Sequence, residues 1–251
     1  MVGRTDNDGA SPVESGTVER AVGALQKYVA KKEAESAQMS LVDDDQFYIL
    51  VLNLFSAPSK AKTSPKRIQI PHSLYLADGV EICLITKDPQ KEYKEKLALN
   101  PVRNVRKVIG VQKLKAKYSQ YKDKRELCLA YDLFLADQRV LNLLPHLLGK
   151  AFFTRKKQPV PVRINGKNVA SELEKARDST YMFLSCGSCV AIKIARVSQT
   201  RTEIIQNIMQ GLDSAVKQIR GNWDNIQSVH LKLAESVALP LYNCLPAEPT
   251  T

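Results

Sequence analysis

Between residues 79 and 150 the sequence alternates between two textures, and that alternation constrains the fold more than any other feature. VEICLIT at 80–86 is an unbroken apolar run, as expected of a parallel strand covered on both faces. Asp88 and Pro89 then stand where a helix would open, Asp at the cap and Pro in the first turn, which predicts a helix to Leu99. A second strand is expected over 107–111, a strongly basic helix over 112–124, and a third strand over 127–135. Asp137 is placed to cap a helix carrying Val140, Leu141, Leu144, Leu147 and Leu148, interrupted by Pro145 and Gly149. Strand and helix in turn predict an open parallel α/β unit, because parallel neighbours need helical crossovers.

The flanks read differently. A helix is expected from Thr17, which could cap it, with Val18, Val22, Leu25 and Val29 at helical spacing. FYILVLNLF at 47–55 reads as a buried strand, 57–65 as a Lys, Ser and Pro loop, and 67–70 as a short strand ending at Pro71. Pro159 and Pro161 read as the end of the α/β unit. Beyond them a helix is expected over 169–179, two strands over 181–197 around Cys186-Gly187-Ser188, an amphipathic helix over 202–220 and a closing strand over 226–233. The fold class expected is therefore α/β in two domains. An α+β split domain, 17–78 with 163–245, encloses an inserted Rossmann-like open parallel α/β domain at 79–162, with tails at 1–16 and 246–251. Chain crossings at 76–80 and 158–165 would form a hinge.

Charge narrows the partner. The 251 residues carry 37 Lys and Arg against 26 Asp and Glu, a formal +11. The excess is collected: residues 87–125 hold thirteen bases and four acids, 150–167 hold six bases and no acid, and 1–50 hold five bases and nine acids. Clustered base points to a polyanion. No apolar stretch is long enough for a membrane helix, residues 1–16 lack the apolar core of a signal peptide, and the five Cys read as reduced thiols.

Catalytic chemistry finds little support. Cys186 and Cys189 have the spacing of a redox pair or half a zinc site, but Cys83, Cys128 and Cys244 are isolated and no His lies at ligand spacing. Residues 190–197 read as strand where a redox motif would open a helix. His72, His146 and His230 have no neighbouring nucleophile, and no phosphate-binding Gly loop follows 80–86. No catalytic residue, metal or cofactor is expected. Basic residues interleaved with aromatics remain: Lys113, Lys115, Lys117, Lys122, Lys124 and Arg125 around Tyr118 and Tyr121, then Lys150, Arg155, Lys156 and Lys157 around Phe152 and Phe153. Lys and Arg can neutralise phosphates and an exposed aromatic can stack on a base, although at least one of the two Phe is expected in the core.

Two ends enclosing an α/β insert, with KRIQIPHSL at 66–74, EICLITKD at 81–88, YDLFLADQRVLNLLPHLLGKAFF at 131–153, IIQNIMQGL at 204–212 and HLKLAESVALPLY at 230–242, resemble the ribosomal protein L1 family. DLFLAD, LPHLLGK and SVALPLY look more like the nucleolar L1-domain ribosome-assembly factors of eukaryotes than the mature ribosomal protein. The resemblance implies a non-catalytic factor of the nucleolus and nucleus that binds precursor ribosomal RNA beside other assembly factors and ribosomal proteins, monomeric within a large ribonucleoprotein particle. Alternatives are the mature large-subunit protein of the L1 stalk and a CxxC redox enzyme. The family grips RNA chiefly with its split domain, which points to Lys66, Arg67 and His72, then to Lys232 and Ser236. Lys193 and Arg196 match a basic strand of the family by position. Where the family's C-terminal turn reads Thr-Met-Gly-Pro, this chain has Val237-Ala238-Leu239-Pro240; losing the Gly implies a looser or different RNA grip.

Overall fold

The computed structural model describes residues 12–36, 46–58, 65–76, 79–155, 157–164 and 168–244. In chain order the elements are α1 (Ser15–Ser36), β1 (Phe47–Leu54), β2 (Lys66–Gln69), β3 (Ile82–Thr86), α2 (Gln90–Leu99), β4 (Val105–Gly110), α3 (Val111–Lys117), α4 (Tyr121–Ala130) and β5 (Leu133–Asp137). There follow α5 (Leu144–Leu148), α6 (Lys150–Thr154), β6 (Val160–Val162), α7 (Val169–Arg177), β7 (Ser179–Met182), β8 (Cys189–Arg196), α8 (Arg201–Val216), β9 (Ile226–Lys232) and β10 (Leu239–Asn243). The chain forms two compact units: 1–61, 68–72 and 182–251 in the first, 62–67 and 73–181 in the second. The contact boundaries thus fall at 73 and 181, where the sequence suggested 79 and 162. Helix α7 packs on β6 and so belongs with the second unit.

The first unit is an antiparallel sheet in the order β10-β9-β1-β8. Strand β1 alternates half-buried and buried residues along its whole length. Its residues Tyr48, Leu50, Leu52 and Leu54 are buried, as are Val18, Val22 and Leu25 of α1 and Ile204, Ile208 and Leu212 of α8, where α8 packs on β8 and α1 on β10. Each such Leu or Ile stabilises by ~1.5–3 kcal/mol relative to exposure. Gly211 lets α8 come close to the sheet, because a side chain there would run into Ile194 of β8. The start of α8 is fixed by a capping box between Thr200 and Glu203.

The second unit holds a parallel sheet in the order β4-β3-β5-β6. Central strands β3 and β5 are buried at every position, as their largely apolar sequences, each closed by one polar residue, require. On one face Cys83, Ile85, Ile109, Phe134 and Phe152 pack with Leu114, Leu127 and Leu144. Phe134 and Phe152 meet edge to face at 4.9 Å. Phe152 is therefore core, and Phe153 is half-buried against it. Strands β2 and β7 pair in a two-stranded ribbon.

Several expectations give way to local chemistry. Helix α1 begins at Ser15, so Thr17 lies inside the first turn, where its hydroxyl accepts from Arg20 at 3.2 Å. Asp88 does not cap α2; Pro89 holds the cap position and the Asp88 carboxylate accepts from the Gln112 backbone N–H at 3.0 Å. A carboxylate there complements the positive end of α3. The basic segment 112–124 is two helices, broken at 118–120. Leu127 and Cys128 are buried on α4, and only Leu133–Asp137 is strand: the apolar run joins a helix end to a strand, which periodicity alone does not divide. Asp137 ends β5 and does not cap a helix; its carboxylate is held by Arg139 through the backbone N–H at 3.1 Å and the guanidinium at 2.6 and 2.9 Å. Pro159 and Pro161 do not end the sheet, because Val160–Val162 adds β6 beside β5. Proline is tolerated there because an edge strand has an unpaired side. The helix expected to 179 stops at Arg177, and Ser179 already opens β7.

Candidate nucleic-acid interface

Helices α1 and α8 cover one face of the first unit's sheet, and the other face is half-exposed. Register builds that face. Ile49 of β1 stands opposite Lys193 of β8 and opposite Lys232 of β9, so the two lysines flank it in one row. The next row places Val51 between Ala191 and His230, and the next places Asn53 between Cys189 and Ser228. Neighbouring strands lie ~4.8 Å apart, so Lys193 and Lys232 leave the sheet about 10 Å from each other.

Phe47 organises the end of this face. It pairs with Arg196 across β1 and β8. The Lys193 ammonium lies 4.3 Å and the Arg196 guanidinium 4.6 Å from its ring centroid. A cation over an aromatic face is worth ~0.5–2 kcal/mol, so the ring orients both bases. Arg196 is only 9% exposed and its backbone N–H donates to Gln199 at 3.0 Å. Along the row, the Asn53 amide donates to Ser228 Oγ at 2.9 Å, which lies 3.5 Å from His230 Nδ1.

His72 sits in the turn after β2 and is held by α8. Its backbone N–H donates to Asn207 Oδ1 at 2.9 Å, and the Asn207 amide donates back to its carbonyl at 2.9 Å. Asn207 is wholly buried, so this clasp satisfies both ends of its amide. The ring meets Gln206 Oε1 at 2.6 Å through Nε2 and lies 3.7 Å from Glu203 through Nδ1. Hydrogen bonds from the Thr200 backbone and side chain hold the Glu203 carboxyl below its ordinary range.

Ser236 serves its own turn: its hydroxyl accepts from the Leu233 N–H at 2.8 Å and donates to the Val237 carbonyl at 3.0 Å. Glu235 beside it is bound by the Lys32 ammonium, and its carbonyl accepts from Tyr28 at 3.4 Å, which ties the turn to α1. That hydrogen-bonded pair raises the Lys32 pKa and lowers that of Glu235.

The remaining candidates belong to other elements. Lys66 and Arg67 open β2, and the Arg67 guanidinium lies 3.8 Å from Glu172 of α7. Lys113 and Lys115 are exposed on α3; Lys150 is exposed on α6 and Arg155 just beyond it. Lys157 is not a free base: its ammonium donates to the Cys128 carbonyl at 3.2 Å and the Tyr131 carbonyl at 2.8 Å, at the C-terminus of α4. Lys156 lies outside the described residues. The structure thus joins Lys193, Arg196 and Lys232 on one sheet and sets His72 and Ser236 in turns of the same unit. The sequence reading missed Phe47, His230 and Asn207. The two-residue period of a strand could have placed the first two by face, explicitly so in HLKL; Asn207, on the inward side of an amphipathic helix, signals a buried polar partner.

Cys186 and Cys189 are exposed and form no disulfide, and β8 begins at Cys189 where a redox motif would open a helix. Among the described residues no group of three His, Cys, Asp or Glu could hold a metal ion, and no helix is long and apolar enough to cross a membrane.

The chain matches the ribosomal protein L1p/L10e family over residues 25–237. It is 36% identical over 245 residues to a Schizosaccharomyces pombe protein named for ribosome biogenesis, covering 90% of this chain and 65% of that one. It is 27% identical over 222 residues to the mouse Ribosomal L1 domain-containing protein 1, covering 85% of this chain and 48% of that one. The chain therefore spans less than two thirds of either relative. The large ribosomal subunit protein uL1 of Chlamydomonas reinhardtii is 29% identical over a shorter stretch of 133 residues, 53% of this chain and 61% of that one.

Proposed function

The chain belongs to the ribosomal protein L1p/L10e family, and we propose that it is a non-catalytic RNA-binding factor in ribosome biogenesis that holds precursor ribosomal RNA within a pre-ribosomal particle. The observation that carries this reading is the half-exposed sheet face on which Lys193 and Lys232 flank Ile49 and Phe47 orients Lys193 and Arg196. Cations fixed on a sheet suit phosphates of a folded RNA, since a preorganised base loses little freedom on binding. The Phe47 ring serves as a platform for these cations and not as a stacking surface for a base.

Within this reading Lys193 and Lys232 contact phosphate, Arg196 and Phe47 steady them, and His72 and Ser236 shape the two flanking turns. Lys66 and Arg67 lie at the entrance to β2. Lys113, Lys115, Lys150 and Arg155 of the second unit add long-range attraction. The ribosome-biogenesis name of the Schizosaccharomyces pombe relative supports the same role, action in the nucleolus and nucleus, and partnership with other assembly factors and ribosomal proteins. The alternative is a mature large-subunit protein, which the lower identity to uL1 proteins, 29% against 36% for the Schizosaccharomyces pombe relative, favours less.

Ultraviolet crosslinking of the protein in cells, with protein and RNA sites both mapped, tests this reading. Crosslinks from β1, β8 and β9 to precursor rRNA, in particles sedimenting ahead of mature subunits, are expected. Crosslinks confined to mature rRNA would favour the ribosomal alternative, and no RNA crosslink on these strands would overturn the assignment of the face.

A further inference from the structure

Helix α4 buries Leu127 and Cys128 in the core of the second unit and turns Tyr121, Lys122, Arg125, Glu126 and Leu129 toward solvent. Leu129 is 61% exposed and Tyr121 58%. At spacings of four residues, Tyr121, Arg125 and Leu129 form one continuous stripe. Its middle is already ordered. The Arg125 guanidinium lies 4.5 Å from the Tyr121 ring centroid and donates to the Tyr121 hydroxyl at 3.3 Å. A lone exposed leucine means nothing. A leucine in line with a stacked arginine and a tyrosine sets an apolar anchor beside an oriented cation.

We propose that this stripe docks an acidic amphipathic protein segment, with Leu129 and Tyr121 receiving an apolar side chain and Arg125 a carboxylate. Charge selects the partner: α3 and α4 together hold six bases against two acids. RNA is acidic too, but it fits this stripe poorly. Leu129 offers nothing to a phosphate, and Arg125 already covers the ring on which a base would stack. The outward residues of α3, Gln112, Lys113, Lys115, Ala116 and Lys117, include no acid and suit a nucleic-acid backbone better. An Arg–carboxylate pair can be bidentate, which gives such a contact direction as well as charge. This inference rests on the protein-partner part of the proposed function and gives that part a surface and a chemistry.

The test titrates the full chain, labelled on its leucine methyls, with three probes. They are a synthetic peptide carrying Glu on one helical face and Leu on the other, a scrambled peptide of the same composition, and a single-stranded RNA oligonucleotide. The acidic amphipathic peptide should shift the Leu129 methyl signals and leave those of buried Leu127 unmoved. Leu129→Ser should weaken that peptide about tenfold or more and leave RNA affinity unchanged; circular dichroism and the milder Leu129→Ala guard against misfolding. The proposal is overturned if the peptide leaves the Leu129 methyls unmoved, if the scrambled peptide binds equally well, or if Leu129→Ser costs RNA as much as peptide. A chain that binds no RNA yet takes the peptide at Leu129 would remove the RNA reading and leave this one standing.

Discussion

Lys193 and Lys113 carry the same charge on different supports. Lys193 belongs to an eight-residue strand paired along β1, with its ammonium over the Phe47 ring. Lys113 rides on a seven-residue helix with its side chain in solvent. The first unit spends secondary structure on placing a few cations, while the second gathers many on short exposed elements. The difference teaches that charge density and binding precision are separate properties. A loose lysine attracts a polyanion from a distance, within a Debye length of ~8–10 Å in physiological salt. A fixed one sets register, because the entropy of ordering it has been lost during folding.

The largest expected effect comes from loosening the ordered side of this contrast. Asn207→Ala leaves the His72 N–H and carbonyl without their buried partner and should destabilise by about 2–3 kcal/mol in urea unfolding. A change below about 0.5 kcal/mol would mean that the turn is not held by α8.

A smaller effect marks a base that the second unit does fix. Lys157→Ala removes a cation donating to two carbonyls at the end of α4 and should cost about 1–2 kcal/mol. Lys113→Ala should stay within about 0.5 kcal/mol of the parent by the same measurement. Equal losses would erase the distinction between a tethered and a solvated lysine.

Thiol labelling sharpens the contrast without touching stability. Burial pushes the Cys83 thiol up to about 12, so its reactive thiolate is scarce at pH 8 and becomes abundant only as pH rises toward that value. Exposed Cys186 and Cys189 should therefore label at once in native protein at pH 8, and Cys83 only after denaturation. Rapid native labelling of Cys83 would show that the parallel sheet opens far more readily than its burial implies. Cys186→Ser with Cys189→Ser should leave melting unchanged within about 0.5 kcal/mol.

Long apolar runs made the sheets legible. FYILVLNLF and VEICLIT each predict a strand at the right place, and the Pro and Gly punctuation around residues 71 and 149 marks real turns. Function-bearing detail was less legible, because it depends on register. Nothing local to Lys193 or Lys232 says that Ile49 will stand between them; that follows from pairing across more than 140 residues. Lys157 misled for the opposite reason. In sequence it belongs to a basic cluster, and only the fold brings the orphan carbonyls of α4 to its ammonium. The edge strand β6 was hidden behind Pro159 and Pro161, whose usual meaning as breakers does not hold at an open sheet edge.

The most direct test titrates a precursor rRNA fragment at several salt concentrations against two double variants, Lys193→Ala with Lys232→Ala and Lys113→Ala with Lys115→Ala. Each pair removes two positive charges, so long-range attraction falls equally. If the sheet face is the RNA surface, the first pair should lower affinity by about thirtyfold or more and reduce the log-log salt slope by roughly 1.4–1.8, while the second lowers affinity about threefold. A larger loss of affinity and slope from the Lys113 and Lys115 pair would contradict the account and move the RNA surface to the second unit.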